Sequence, residues 1–99
     1  MRAEEAGKAY SEAQRMCEDL LIAHADDRNL REEYASVLER QMQWKQSNGA
    51  IDAALEWARK SLAFRQETVA LDPLDKDAAA QLKVLEALIR NLEESSEEI

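Results

Sequence analysis

The stretch from Gly49 to Pro73, GAIDAALEWARKSLAFRQETVALDP, restricts the possible folds of this chain more than any other. A glycine precedes it and a proline closes it, the punctuation of one long helix. Ile51, Leu55, Ala58, Leu62 and Val69 recur at helical spacing on one face. Ala50, Ala53, Trp57, Ser61, Phe64 and Leu71 form a second face, roughly 120° further round at about 100° per residue. Only a narrow strip, Asp52, Glu56, Arg59, Gln66 and Glu67, is plainly polar. A helix that is apolar on two flanks needs a neighbour on each. The remainder of the chain is therefore expected to supply further helices rather than a sheet.

The remainder reads that way. Ala, Leu, Glu, Gln, Arg and Lys dominate, the residues that lose least on entering a helix. No run alternates apolar and polar, and no hairpin dipeptide separates two β-branched runs. Residues 2 to about 25 carry Ala6, Ala9/Tyr10, Ala13, Met16/Cys17, Leu20/Leu21 and Ala23/His24 on a broad apolar side. Gly7 interrupts it at a cost of about 1 kcal/mol relative to Ala, which allows the ordered helix to start after it. HADDRN, residues 24 to 29, is a turn in which Asn29 and Glu32 have capping-box spacing. A second helix runs from about Leu30 to Ser47, burying Leu30, Tyr34, Val37/Leu38, Gln41/Met42 and Trp44, and ends at Asn48-Gly49. Asp75 is the N-cap candidate of a fourth helix, about Lys76 to Leu92, with Ala78, Leu82, Leu85, Ile89 and Leu92 on one stripe. Val84 and Leu88 lie partly off that stripe. The expected organisation is all-α: four antiparallel helices stacked as hairpins in one domain over residues 7–92. Residues 1–6 are expected to fray, and the acidic residues 93–99 to be disordered.

Ninety-nine residues suffice for one modest core. The 21 acids against 13 bases, net −8, disfavour nucleic acid and anionic membrane surfaces, since each phosphate contact needs a local cation and the bases are scattered. The lone Cys17 closes no intrachain disulfide. No apolar run approaches the roughly 20 residues of a membrane span, and MRAEEAGKAY has no signal-peptide core. A cytoplasmic location is the default expectation.

The chain also matches itself. Asp26–Glu39 slides onto Pro73–Glu86, pairing Ala35 with Leu82, Val37 with Val84, Leu38 with Leu85 and Glu39 with Glu86. Ala13–Leu21 falls on Ala54–Leu62. Two helices repeated at this length are the signature of an α-solenoid. From Gly49 to Leu62 the chain resembles the second helix of a tetratricopeptide repeat, with Ala54, Ala58, Ser61, Leu62 and Pro73 at matching places. Ala13, Cys17, Leu20 and Leu21 match in the first helix. The ending V-A-L-D-P resembles extended bacterial relatives of that family. Met42 stands where the family has a small residue, and Lys45 where it has an aromatic one. The resemblance covers about residues 7 to 92, in the order second, first, second, first helix.

The resemblance implies a helical scaffold for protein–protein interaction, in which the first helices of successive repeats line a groove for a peptide or helix of another protein. Ser36, Glu39, Arg40, Gln43, Gln46, Lys83, Glu86, Ala87 and Arg90 are the positions expected to face it, all off the buried stripes. The chain would be part of a longer array or a homodimer. The alternative is a closed four-helix bundle serving as a structural or dimerisation domain, with Val84 and Leu88 as contacts. No catalytic residue, metal site or cofactor is expected. Cys17 and His24 are two turns apart without two further ligands. The adjacent carboxylates Asp26/Asp27 and Glu32/Glu33 point about 100° apart on a helix. No Ser or Cys has a second histidine to draw on, and no Gly-rich loop cradles phosphate.

Overall fold

Gly49 takes φ +78°, a conformation that a Cβ disfavours, and this reverses the chain within three residues. The computed structural model describes the backbone of residues 3–97 and the side chains of residues 7–95. It holds four helices, α1 (Ala3–Ala23), α2 (Arg28–Ser47), α3 (Ile51–Leu71) and α4 (Lys76–Glu97), and no strand among the described residues. The all-α expectation holds.

Helix boundaries follow local chemistry, with three departures from the sequence reading. α1 starts at Ala3 and runs through Gly7. A Cβ on Gly7 would lie 2.9 Å from Cη2 of Trp44, so the absent side chain is what admits the indole. α2 is capped by Asp27, whose Oδ1 accepts from the Leu30 N–H at 3.1 Å, and not by Asn29. Asp27 has the extended backbone that a cap needs, while Asn29 is already helical. α4 continues to Glu97, past Leu92, because Glu is a good helix former and Glu93 reaches Arg59 of α3 at 3.7 Å. Residues 1, 2, 98 and 99 of the expected frayed and disordered ends lie outside the described residues. Asp75 caps α4 as expected, accepting from the N–H groups of Asp77 and Ala78.

Packing follows chain order: α1 on α2, α2 on α3, α3 on α4, and no other pair among the described residues. Among the described residues α1 therefore makes no contact with α4, the contact that would close a four-helix bundle. Contacts between α1 and α2 run in opposite sequence order, with Tyr10 by Trp44, Gln14 by Gln41 and Glu18 by Tyr34. Between α3 and α4, Arg59 meets Glu93 and Arg65 meets Gln81. The main core is Met42 of α2, Ala54, Leu55 and Ala58 of α3, and Leu85, Ile89 and Leu92 of α4, with Ile51, Trp57 and Leu62 packed against it. α3 is thus covered on both flanks, as its two apolar faces require, and its strip Asp52, Glu56, Arg59, Gln66 and Glu67 is exposed.

Candidate functional site

On α3, Ala54, Ala58 and Ser61 are fully buried. Small side chains there let α2 approach closely, and the next residue on that row is Arg65. Its guanidinium is buried, at 7% exposure, and must be paired to be tolerated. Glu39 of α2 takes both Nε, at 2.5 Å, and Nη2, at 3.0 Å. Glu32, two turns earlier on α2, takes Nη1 at 3.0 Å and Nη2 at 3.2 Å. Gln81 of α4 accepts from Nη1 at 3.0 Å. The Ser61 hydroxyl donates to Glu39 at 2.6 Å. Burial works against the charged guanidinium, but the hydrogen bonds and charges of Glu39 and Glu32 outweigh it and hold Arg65 protonated. Every fully buried side-chain nitrogen and oxygen among the described residues has a hydrogen-bond partner.

This cluster is the floor of a groove of about 350 Å³ between α2 and α4. Glu32, Ser36 and Glu39 form the α2 wall; Ala80, Gln81, Val84, Leu85 and Leu88 form the α4 wall. Val84 and Leu88 are 61% and 40% exposed. One wall is acidic, the other apolar.

Of the positions expected to face the groove, Ser36 and Glu39 line it. Gln43 is exposed and extends their row by one turn. Arg40 and Gln46 are exposed without lining it. Lys83, Glu86, Ala87 and Arg90 are exposed but absent from the α4 wall; at about 100° per residue they point to other sides of that helix. The reason is register. α2 meets α1 through Tyr34, Gln41 and Trp44, on one row with Leu30 and Val37. α4 meets α3 through the row Ala78, Leu82, Leu85, Ile89 and Leu92. Structurally, Tyr34 corresponds to Leu82 and Val37 to Leu85, one residue further along than the sequence self-match. In that register Ser36 corresponds to Val84 and Arg40 to Leu88.

Arg31 and Arg65 were missed by sequence reasoning. Arg31 donates to Thr68 Oγ1 (2.8 Å), the Ala25 carbonyl (2.9 Å) and the Phe64 carbonyl (3.3 Å), and stacks 4.1 Å above the Phe64 ring. It ties the first turn to α3. Arg28 pairs with Asp75 across the two turns. A signal for Arg65 existed: it continues the row of small residues on α3, and Glu32 and Glu39 are one heptad apart on α2.

A second groove, over α2 between α1 and α3, is lined by Gln14, Glu18, Tyr34, Lys60, Ala63, Phe64 and Glu67. The Tyr34 hydroxyl there already donates to Glu18 at 3.0 Å. Cys17 is buried in α1, its thiol pushed up by burial and then by Glu33 and Glu18. His24 is exposed beyond the end of α1, and no three potential metal ligands cluster among the described residues. No described helix is long and apolar enough to cross a membrane. Comparison with protein-family models, with curated proteins and with solved structures gives no match.

Proposed function

We propose that this chain is a non-enzymatic protein-interaction module, a segment of a tetratricopeptide-like solenoid that holds a peptide or helix of a partner protein between α2 and α4. The observation that carries this reading is the groove over α3. α2 and α4 do not pack on each other, so the space between them is open to a ligand. Its floor is a buried, fully hydrogen-bonded arginine cluster that fixes both walls to α3. Such pre-ordering lowers the cost of binding. The walls set the chemistry of the partner. Val84 and Leu88 offer apolar contact, while Glu32 and Glu39 share the single cation Arg65 and so leave negative charge over on the α2 wall, in a chain of net −8. A segment with apolar residues on one side and Lys or Arg on the other satisfies both.

Selection from a random peptide library, followed by amide chemical-shift mapping, tests this. Selected peptides should combine basic and apolar residues and perturb Ser36, Glu39, Val84 and Leu88. Val84→Glu should weaken them at least about tenfold while leaving the fold intact, since Val84 is exposed. Peptides that perturb only residues outside α2 and α4, or that tolerate Val84→Glu, would contradict the proposal.

A further inference from the structure

The groove has hydrogen-bonding capacity that its own contacts leave unused. A guanidinium carries five N–H donors, and those of Arg65 all go to Glu32, Glu39 and Gln81. Arg65 therefore has nothing to give a ligand, but it fixes Gln81. Because arginine only donates, the amide oxygen of Gln81 must face it, at 3.0 Å, and this turns Nε2 of the same amide away from Arg65. That nitrogen makes no hydrogen bond to a described residue, and neither does the Ser36 hydroxyl on the opposite wall. Among the side chains that line the groove, these two hold the donor hydrogens still unused. Glu32 and Glu39 only accept, and Ala80, Val84, Leu85 and Leu88 do neither.

A segment of apolar and basic residues has no acceptor in its side chains, since Lys and Arg only donate. The acceptors it can bring to Gln81 are main-chain carbonyls. In a helix these are bonded within the helix, apart from the last four. In an extended segment they are free. The spacing of the apolar wall agrees. Val84 and Leu88, four residues apart on α4, are about 6 Å apart along its axis. Alternate residues of an extended chain are roughly 6.6 Å apart and share one side. Alternate apolar side chains can then lie on Val84 and Leu88, while the intervening ones reach Glu32 and Glu39 on the other wall.

On the footing of the groove proposed above, we infer that its partner binds as an extended segment of alternating apolar and basic residues, and not as a helix. Gln81 is then a specificity-determining residue, donating from Nε2 to a main-chain carbonyl of that segment. Arg65 holds the amide in the orientation that this requires.

Two short synthetic peptides of equal Leu and Lys content are the probes. One alternates the two residues; the other places Leu at helical spacing and is held helical by a hydrocarbon staple. The alternating peptide should bind saturably in fluorescence anisotropy, at least about tenfold more tightly than the stapled one. It should shift the side-chain amide signal of Gln81 together with the backbone signals of Ser36 and Val84. Gln81→Glu keeps an acceptor for Arg65 but loses the donor. Its added negative charge alone would tighten a basic peptide; loss of the donor should instead weaken the alternating peptide about tenfold. Alkene replacements of single peptide bonds, scanned along that peptide, should include one that weakens binding to wild type about tenfold and to Gln81→Glu by no more than about twofold. Equal or tighter binding to Gln81→Glu, an unmoved Gln81 side-chain signal, a stapled helix that binds as tightly, or an alkene scan without effect on wild type would overturn the inference and leave the groove standing. If neither peptide binds, or if binding shifts only residues outside α2 and α4, the groove falls as well.

Discussion

Arg65 is buried and Tyr34 half-buried, and each makes a separate prediction. Arg65→Ala leaves the carboxylates of Glu39 and Glu32 without their common partner, so it should lower the unfolding free energy by about 2–4 kcal/mol, towards the lower range for breaking a buried pair because Glu32 remains half in water. Urea denaturation measures this. Burial, and next the hydrogen bond to Glu18, keep Tyr34 protonated and push its pKa up to about 12. The ordinary phenol value is about 10. A raised folded pKa gives a contribution that is complete below about pH 10 and lost as pH rises towards 12. The wild-type melting temperature should therefore fall relative to that of Tyr34→Phe between those two values and not below them. Gly7 makes a third test. Ala there gains about 1 kcal/mol of helix propensity but places its Cβ against Trp44. Gly7→Ala should fail to stabilise wild type, and should stabilise a Trp44→Leu background by about 1 kcal/mol. Gly7 looked like a helix breaker in the sequence because its partner is far along the chain. Arg65 was assigned to no face in the sequence for the same reason: its acceptors come from two other helices.

At the scale of helices, periodicity was the dependable signal. The two flanks and the polar strip of α3 were legible because three side chains per turn report which way a cylinder is turned. Caps were less so. Asp26, Asp27 and Asn29 all have suitable side chains, and only backbone conformation chooses among them. Asp27→Ala should cost about 1 kcal/mol in thermal unfolding, against no more than about 0.3 kcal/mol for Asn29→Ala. The groove was half legible for a related reason. Matching residue types aligned Val37 with Val84, while packing aligns Val37 with Leu85. A slip of one residue turns a helix by about 100°, which moved the expected wall from Val84 and Leu88 to Lys83, Glu86 and Arg90. Residue identity is a weak guide to register where a terminal helix has exchanged apolar residues for charged ones.

For the molecule as a whole, short turns of three to four residues are compatible with a closed bundle and with an open stack. The sequence left both available. The open order follows from which flanks are greasy: α3 has two covered flanks, α4 has one and a charged outer face, and α1 has one covered flank beside the exposed Met16 and Leu20. The proposed groove depends on that order, since a closed bundle would fill the space between α2 and α4. Double electron–electron resonance between spin labels at Asp19→Cys and Glu86→Cys, in a Cys17→Ser background, measures it. With α1 and α4 separated by three helix steps of about 8–10 Å each along a bent row, rather than by one, the distance distribution should centre beyond about 20 Å. A distribution centred near about 15 Å would place α1 beside α4 and contradict the account.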